Sequence, residues 1–134
     1  MTHFMKQTKL VNAAGAIQEP VAKTLALYFA ADWCPDCRDF QPKLNDFYSK
    51  VNAQTHQLDI QGPWLAIPFH DTLRDELKRK YQVCAKKEME TVGVTDRVGG
   101  IPTVVIVTSS GDVVDIDAAS KIESSGVDAL AAWL

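Results

Sequence analysis

The chain has 134 residues, 46% apolar and 23% charged, a globular composition with enough length to bury a core and unlike that of a disordered segment. Its 14 Lys and Arg against 17 Asp and Glu leave a net charge of −3, without the clustered positive field that nucleic-acid binding requires. Three cysteines are too few for a secreted disulfide scaffold, and no apolar stretch reaches the roughly eighteen residues of a membrane span. The first twenty residues carry no hydrophobic leader, so a soluble, cytoplasmic protein in a reducing compartment is expected. Neither a repeat nor a linker divides the chain, and residues 1–134 read as one domain.

Taken in chain order, Lys9-Leu10-Val11 is a candidate short strand, with turns marked by Gly15 and Pro20. Thr24 to Ala30 is a nearly continuous apolar run, too short and too uniform for an amphipathic helix, and reads as a strand buried on both sides. A helix follows: Phe40, Leu44, Phe47 and Val51 fall at offsets 0, 4, 7 and 11, on one helical face. Pro35 suits its first turn, where a missing N–H costs little, while Pro42 sits inside and predicts a kink. Gln57 to Ile60 is a strand fragment. A second helix is predicted from Thr72 to Tyr81, where Leu73, Leu77 and Tyr81 repeat every four residues and Asp75–Arg79 and Glu76–Lys80 are spaced for i,i+4 ion pairs. Thr103 to Val107 is a second buried strand, and a turn at Ser109 to Asp112 joins it to Val113 to Ile116 as a hairpin. Val127, Leu130, Ala131 and Leu134 have helical spacing. The sum is an α/β domain with a central mixed sheet and helices on both faces.

The chemistry concentrates in Trp33-Cys34-Pro35-Asp36-Cys37, where a strand hands over to a helix. Two cysteines two residues apart at a helix start can close a small disulfide. The first sulfur lies near unpaired backbone N–H groups and the positive end of the helix dipole, both of which favour a thiolate. A free thiol titrates near 8.5 and a CxxC thiol near 7, which raises the ionised fraction at neutral pH from about 3% to about half. Cys34 is therefore the expected attacking residue and Cys37, one turn further in, the resolving one. A zinc site would need four ligands, and there is no second CxxC; His56, His70 and Cys84 are scattered. A buried structural thiol pair is the other alternative. A further element, Gly99-Gly100-Ile101-Pro102-Thr103, sets a proline directly before a buried strand, a sign of a constrained turn with a possible cis bond.

These two elements, about sixty-five residues apart, together resemble the thioredoxin superfamily, which carries WCxxC at a helix start and Ile-Pro-Thr before a central strand. Within it the chain is similar to the tryparedoxin and nucleoredoxin-like branch. Ala26 to Pro42 (ALYFAADWCPDCRDFQP) looks like that branch's ALYFSASWCPPCRGFTP, Leu44-Asn-Asp-Phe-Tyr like its helix, and Pro63 to Phe69 (PWLAIPF) like its PWLALPF. Tyr28 stands where ordinary thioredoxins bury an Asp, as in tryparedoxins. The resemblance implies a thioredoxin-like fold with Pro102 cis and facing the cysteines, Trp33 shielding the disulfide, Cys34 attacking and Cys37 resolving. It places substrate contacts at Trp33, Pro35, Asp36, Ile101 and Pro102. It implies a protein-disulfide reductase without metal or cofactor, since the sulfurs carry the electrons. Peroxidases are the implied acceptors and a low-molecular-weight dithiol such as trypanothione the implied donor. The alternatives are a generic thioredoxin-related protein served by a thioredoxin reductase, and a redox-inactive binding module of the same fold.

Three departures stand out. Asp36 occupies a position that is Pro in most tryparedoxins; its carboxylate opposes thiolate formation beside it while suiting the helix N-terminus. Between Val51 and Trp64 the chain is too short for the strand and helix the family has there, so residues are expected to be absent between about Ile60 and Gln61. Cys84 to Val98 is longer than the family's connection and is expected to be a solvated surface insertion, with a lip over the site as the alternative and Cys84 as an incidental thiol.

Overall fold

The computed structural model describes residues 10–11, 17–18, 24–31, 33–55 and 72–133. Strands β1 (Leu10–Val11) and β2 (Ile17–Gln18) pair antiparallel, so the expected first strand has a partner. The main sheet is built from β3 (Thr24–Phe29), β4 (Thr103–Thr108) and β5 (Val113–Asp115), in the order β3-β4-β5. All three pair antiparallel, and no parallel strand pair lies among the described residues.

Strand β4 is the core of the sheet because its β-branched residues alternate between two apolar layers. Val104 and Ile106 face one layer, with Phe40, Leu44 and Phe47 of helix α1 (Pro35–Thr55) and with Ala118 and Ile122 of a later helix. Val105 and Val107 face the other, with Leu77 and Tyr81 of α2 (Leu73–Tyr81). Helices therefore cover both faces of the sheet. Strand β3 differs from its expected double burial: only Phe29 of its residues is buried, and Ala26 is exposed. Among the described residues β3 pairs with β4 alone, whereas β4 is paired on both edges and covered on both faces.

Helix α1 runs unbroken through Pro42. Its apolar stripe is as expected at Phe40, Leu44 and Phe47, each at most 7% exposed. In α2 the expected Asp75–Arg79 and Glu76–Lys80 pairs do not form. Arg79 donates to the Val92 carbonyl at 3.0 Å, and Lys78 lies 3.9 Å from Asp75 and 3.1 Å from Glu88. These side chains turn toward the segment after α2, which is folded over them. That segment holds a 3₁₀ turn (Lys86–Glu88) and α3 (Met89–Val92), and it buries Cys84, Val92 and Val94 together. The expected solvated insertion is thus corrected to a packed excursion, closed at its base by a parallel bridge between Val83 and Gly99.

The hairpin of β4 and β5 forms as expected, with Gly111 at φ 89° in its turn, a conformation that favours glycine, and the Tyr81 hydroxyl donating to the Gly111 carbonyl at 2.7 Å. Helix α4 (Ala118–Ser125) follows, and its Ala118–Ile122 spacing went unread in the sequence. The chain then tightens into a 3₁₀ helix over Gly126–Trp133, where the sequence predicts helical spacing. The Gln57–Ile60 fragment, the Pro63–Phe69 element, His56, His70 and the Ile60–Gln61 junction lie outside the described residues.

Candidate active site

The sheet register brings the two motifs together. Antiparallel pairing sets Phe29 opposite Thr103, so the end of β3 and the start of β4 share one edge of the sheet. The chain leaving β3 enters Trp33-Cys34, and the chain entering β4 comes from Ile101-Pro102. Residues about sixty-five positions apart therefore meet, with the Cys34 thiol 3.9 Å from the Ile101 carbonyl oxygen, a long and weak S–H contact.

Cys34 stands at the N-cap of α1. Its carbonyl accepts the Arg38 N–H at 3.1 Å, the first bond of the helix, and its sulfur accepts the Cys37 N–H at 3.2 Å. Ser, Asp or Asn would use a side-chain oxygen in that place; here a sulfur takes the orphan donor. Pro35 fills the first helical position, where no N–H is missed. The resulting turn is closed from behind by Cys34 N–H donating to Ala31 O at 3.1 Å.

Both sulfurs belong to free cysteines in this structure, Cys34 5% and Cys37 4% exposed. Burial, reinforced by a hydrogen bond with the Cys34 sulfur, pushes the Cys37 thiol up to about 11; a backbone hydrogen bond with Ala31 works against this, and the charge of Asp36 adds to it. Cys37 therefore holds its proton at neutral pH. Tyr28, which packs its ring 5.9 Å from that of Phe40, is pushed to about 12 by burial first and then by the charges of Cys37 and Cys34. The Ile101–Pro102 peptide bond is cis.

A cleft of about 480 Å³ opens over Cys34. Of the residues singled out from the sequence, Trp33, Cys34, Pro35, Asp36 and Ile101 line it; Cys37 lies behind Cys34, and Pro102 lies beside the cleft, partly buried. The opposite wall comes from Ala85, Lys86, Lys87, Arg97 and Gly100. The Lys86-Lys87 pair and Arg97 lie in the excursion that leads into Gly99-Gly100-Ile101, so the lip that the sequence offered only as the alternative is the arrangement found, although its cations were not singled out there. The excursion is the lip of the cleft. Lys87 reaches across it, its ammonium 3.6 Å from the centroid of the half-exposed Trp33 ring.

Several contacts hold the lip in place. Glu88 accepts the Ala85 N–H at 3.0 Å and the Lys78 ammonium at 3.1 Å. Gln82, at φ 56°, accepts the N–H groups of Thr95 at 3.3 Å and Asp96 at 2.9 Å on its side-chain oxygen. Gly99 permits the close approach of the lip's base to β4, since a Cβ there would meet the Thr103 hydroxyl at 3.2 Å. Among the described residues no group of three His, Cys, Asp or Glu could hold a metal ion, and no helix is long and apolar enough to cross a membrane.

Comparison with known proteins agrees with this geometry. A family model described as thioredoxin-like matches residues 22–62. A probable nucleoredoxin 1 of Arabidopsis thaliana is 28% identical over 130 residues, covering 84% of this chain but only 20% of that protein. The tryparedoxin of Trypanosoma brucei brucei is 27% identical over 134 residues, covering 86% of this chain and 83% of the relative. The crystal structure of thioredoxin from Wuchereria bancrofti superposes with a TM-score of 0.70 at 24% identity, covering 98% of this chain and 97% of that one. The fold is that of thioredoxin. The proteins it resembles along most of its length are nucleoredoxins and tryparedoxins.

Proposed function

We propose that the chain is a thiol–disulfide oxidoreductase of the tryparedoxin-like kind, reducing protein disulfides, those of peroxidases among them, through Cys34 and Cys37 in a reducing compartment such as the cytoplasm. The observation that carries this reading is the Cys34 sulfur at the cap of α1, accepting the Cys37 N–H at 3.2 Å and bordering the cleft. A thiolate formed there keeps that hydrogen bond and gains from the helix dipole.

In the proposed cycle the Cys34 thiolate attacks one sulfur of the substrate disulfide, and the other substrate sulfur leaves, taking up a proton. Cys37 then gives up its own proton and attacks the Cys34 sulfur, which releases the second substrate sulfur as a thiol. Two electrons have passed to the substrate, and this chain is left with a Cys34–Cys37 disulfide. The raised Cys37 thiol suits that order, because it stays protonated until the first bond has formed. In this reading Trp33, Pro35, Asp36, Ile101 and Pro102 bear the docked substrate chain. No metal or cofactor takes part. The tryparedoxin relative supports a small dithiol of the trypanothione kind as donor. Asp36, exposed on the cleft where most tryparedoxins have Pro, favours as a second reading a generic thioredoxin-related protein reduced by a reductase.

Insulin reduction followed by turbidity tests the chemistry. Wild type is expected to be active, Cys34→Ser inactive, and Cys37→Ser stalled as mixed disulfides that identify the acceptors by mass. An inert, folded wild type would leave only a binding module. Coupling the assay in turn to trypanothione with its reductase and to thioredoxin reductase separates the two donors by NADPH consumption.

A further inference from the structure

Three cations of the lip line the cleft that Cys34 borders. The Lys87 ammonium sits on the ring of Trp33, the residue next to Cys34, 3.6 Å from its centroid. The Arg97 guanidinium lies against Gly100, where an added Cβ would come within 3.3 Å of it, and Gly100 adjoins Ile101, whose carbonyl faces the sulfur. Lys86 completes the wall, and Asp36 is the single carboxylate among the lining residues. Of the acids next to these cations in the lip's sequence, Glu88 is held by Lys78 and the Ala85 N–H, and Asp96 is exposed beside Arg97; neither lines the cleft. The chain as a whole carries −3, so the cleft has the opposite sign to the body around it.

We infer that the lip selects protein disulfides flanked by Asp or Glu, seating an acidic segment of the partner against Lys86, Lys87 and Arg97. This rests on the oxidoreductase reading and assigns its substrate class. An extended segment advances about 3.3 Å per residue, so carboxylates within about three residues of the attacked cysteine fall within reach of these side chains. A negatively charged partner is repelled by the rest of the surface and attracted here, which orients the encounter as well as speeding it. Arg97 spends one N–H on the Cys84 carbonyl at 3.4 Å and, with five donors in its fork, retains others for a carboxylate.

Two synthetic peptides, each with one internal disulfide, test this; they differ only in carrying Glu or isosteric Gln on either side of the cysteines. The rate constant for their reduction by the reduced full chain is measured by alkylation and mass spectrometry. The Glu peptide is expected to react roughly tenfold faster at low salt, with the advantage shrinking to about twofold or less in 0.5 M salt. In Lys86→Ser/Lys87→Ser the Glu-to-Gln ratio should fall toward one, in Lys86→Arg/Lys87→Arg it should persist, and in Lys87→Glu it should drop further. Equal rates for the two peptides with wild type overturn the inference and leave the dithiol chemistry standing. Failure to reduce either peptide overturns both.

Discussion

The Lys87 ammonium rests 3.6 Å from the centroid of the Trp33 ring, joining the lip to the residue that precedes Cys34. Trp33 is 49% exposed, so the ring keeps a solvent-facing side beside this contact. Cation–π contacts at exposed sites contribute about 0.5–1 kcal/mol. Lys87→Met is therefore expected to leave global stability within about 1 kcal/mol of wild type. The Trp33 indole N–H resonance should shift and sharpen; Lys86→Met should leave it in place. Two-dimensional NMR of the labelled protein checks this.

The raised thiols and phenols set an alkaline limit. Cys37 titrates at about 11, and Tyr28 and Tyr81 at about 12, each raised first by burial. In the unfolded chain the thiol ionises near 8.5 and the phenols near 10. Below those values both states are protonated and nothing is lost. As pH rises through them the unfolded chain releases protons that the folded one keeps, so stability falls from about pH 8.5 to about 12. Urea unfolding of the reduced protein between pH 8 and 11 should show this decline, smaller in Cys37→Ala. Alkylation at pH 7 should spare Cys37 in the native protein.

Asp115 sets a limit on the acid side. Burial alone would raise its carboxyl, but hydrogen bonds from Lys121, from the Trp133 indole at 2.9 Å and from the Asp117 N–H at 2.9 Å hold it below the ordinary carboxylate range. Its stabilisation is complete above the unfolded value near 3.9 and is lost as pH falls through the lower folded one. Asp115→Asn should cost about 1.5–3 kcal/mol at neutral pH, the scale of hydrogen bonds to a charged group. The gap from wild type should narrow as pH falls below the unfolded value and through the lowered folded one. Chemical denaturation at neutral and at acid pH measures both.

Phe40 is 1% exposed, and its ring lies between Tyr28 and the layer of Leu44 and Val104. Phe40→Ala should cost about 3–5 kcal/mol, through lost burial and the cavity left behind. Because Phe40 lies one turn beyond Cys37, the same change should loosen the start of α1. A drop in denaturation midpoint of less than 1 kcal/mol equivalent would count against this packing.

Gln82 holds the lip at its root. It sits at φ 56°, a conformation costing about 1–2 kcal/mol for a residue with a side chain, and offsets that through bonds to the Thr95 and Asp96 N–H groups. Gln82→Gly relieves the backbone but removes both bonds. Overall stability should change little, whereas hydrogen exchange at Thr95 and Asp96 should accelerate by about tenfold, given about 1.4 kcal/mol for a pair of exposed bonds.

Local pattern alone identified the stripe of Phe40, Leu44 and Phe47, the α2 repeat, the β-branched run of β4 and the cysteine pair at a helix start, because helical and strand periods leave their mark within a few neighbours. What escaped it depends on partners distant along the chain. Whether Thr24–Phe29 is doubly covered turns on which elements lie against it, and Lys78 and Arg79 reach beyond their own helix to Glu88 and the Val92 carbonyl, Lys78 keeping a longer contact to Asp75. The meeting of Cys34 with Ile101 is a product of antiparallel register, and the cationic wall of Lys86, Lys87 and Arg97 exists only because Val83 and Gly99 close the excursion beneath it. Composition and spacing singled out the cysteine pair. Long-range pairing, which no short window contains, decided what stands opposite them.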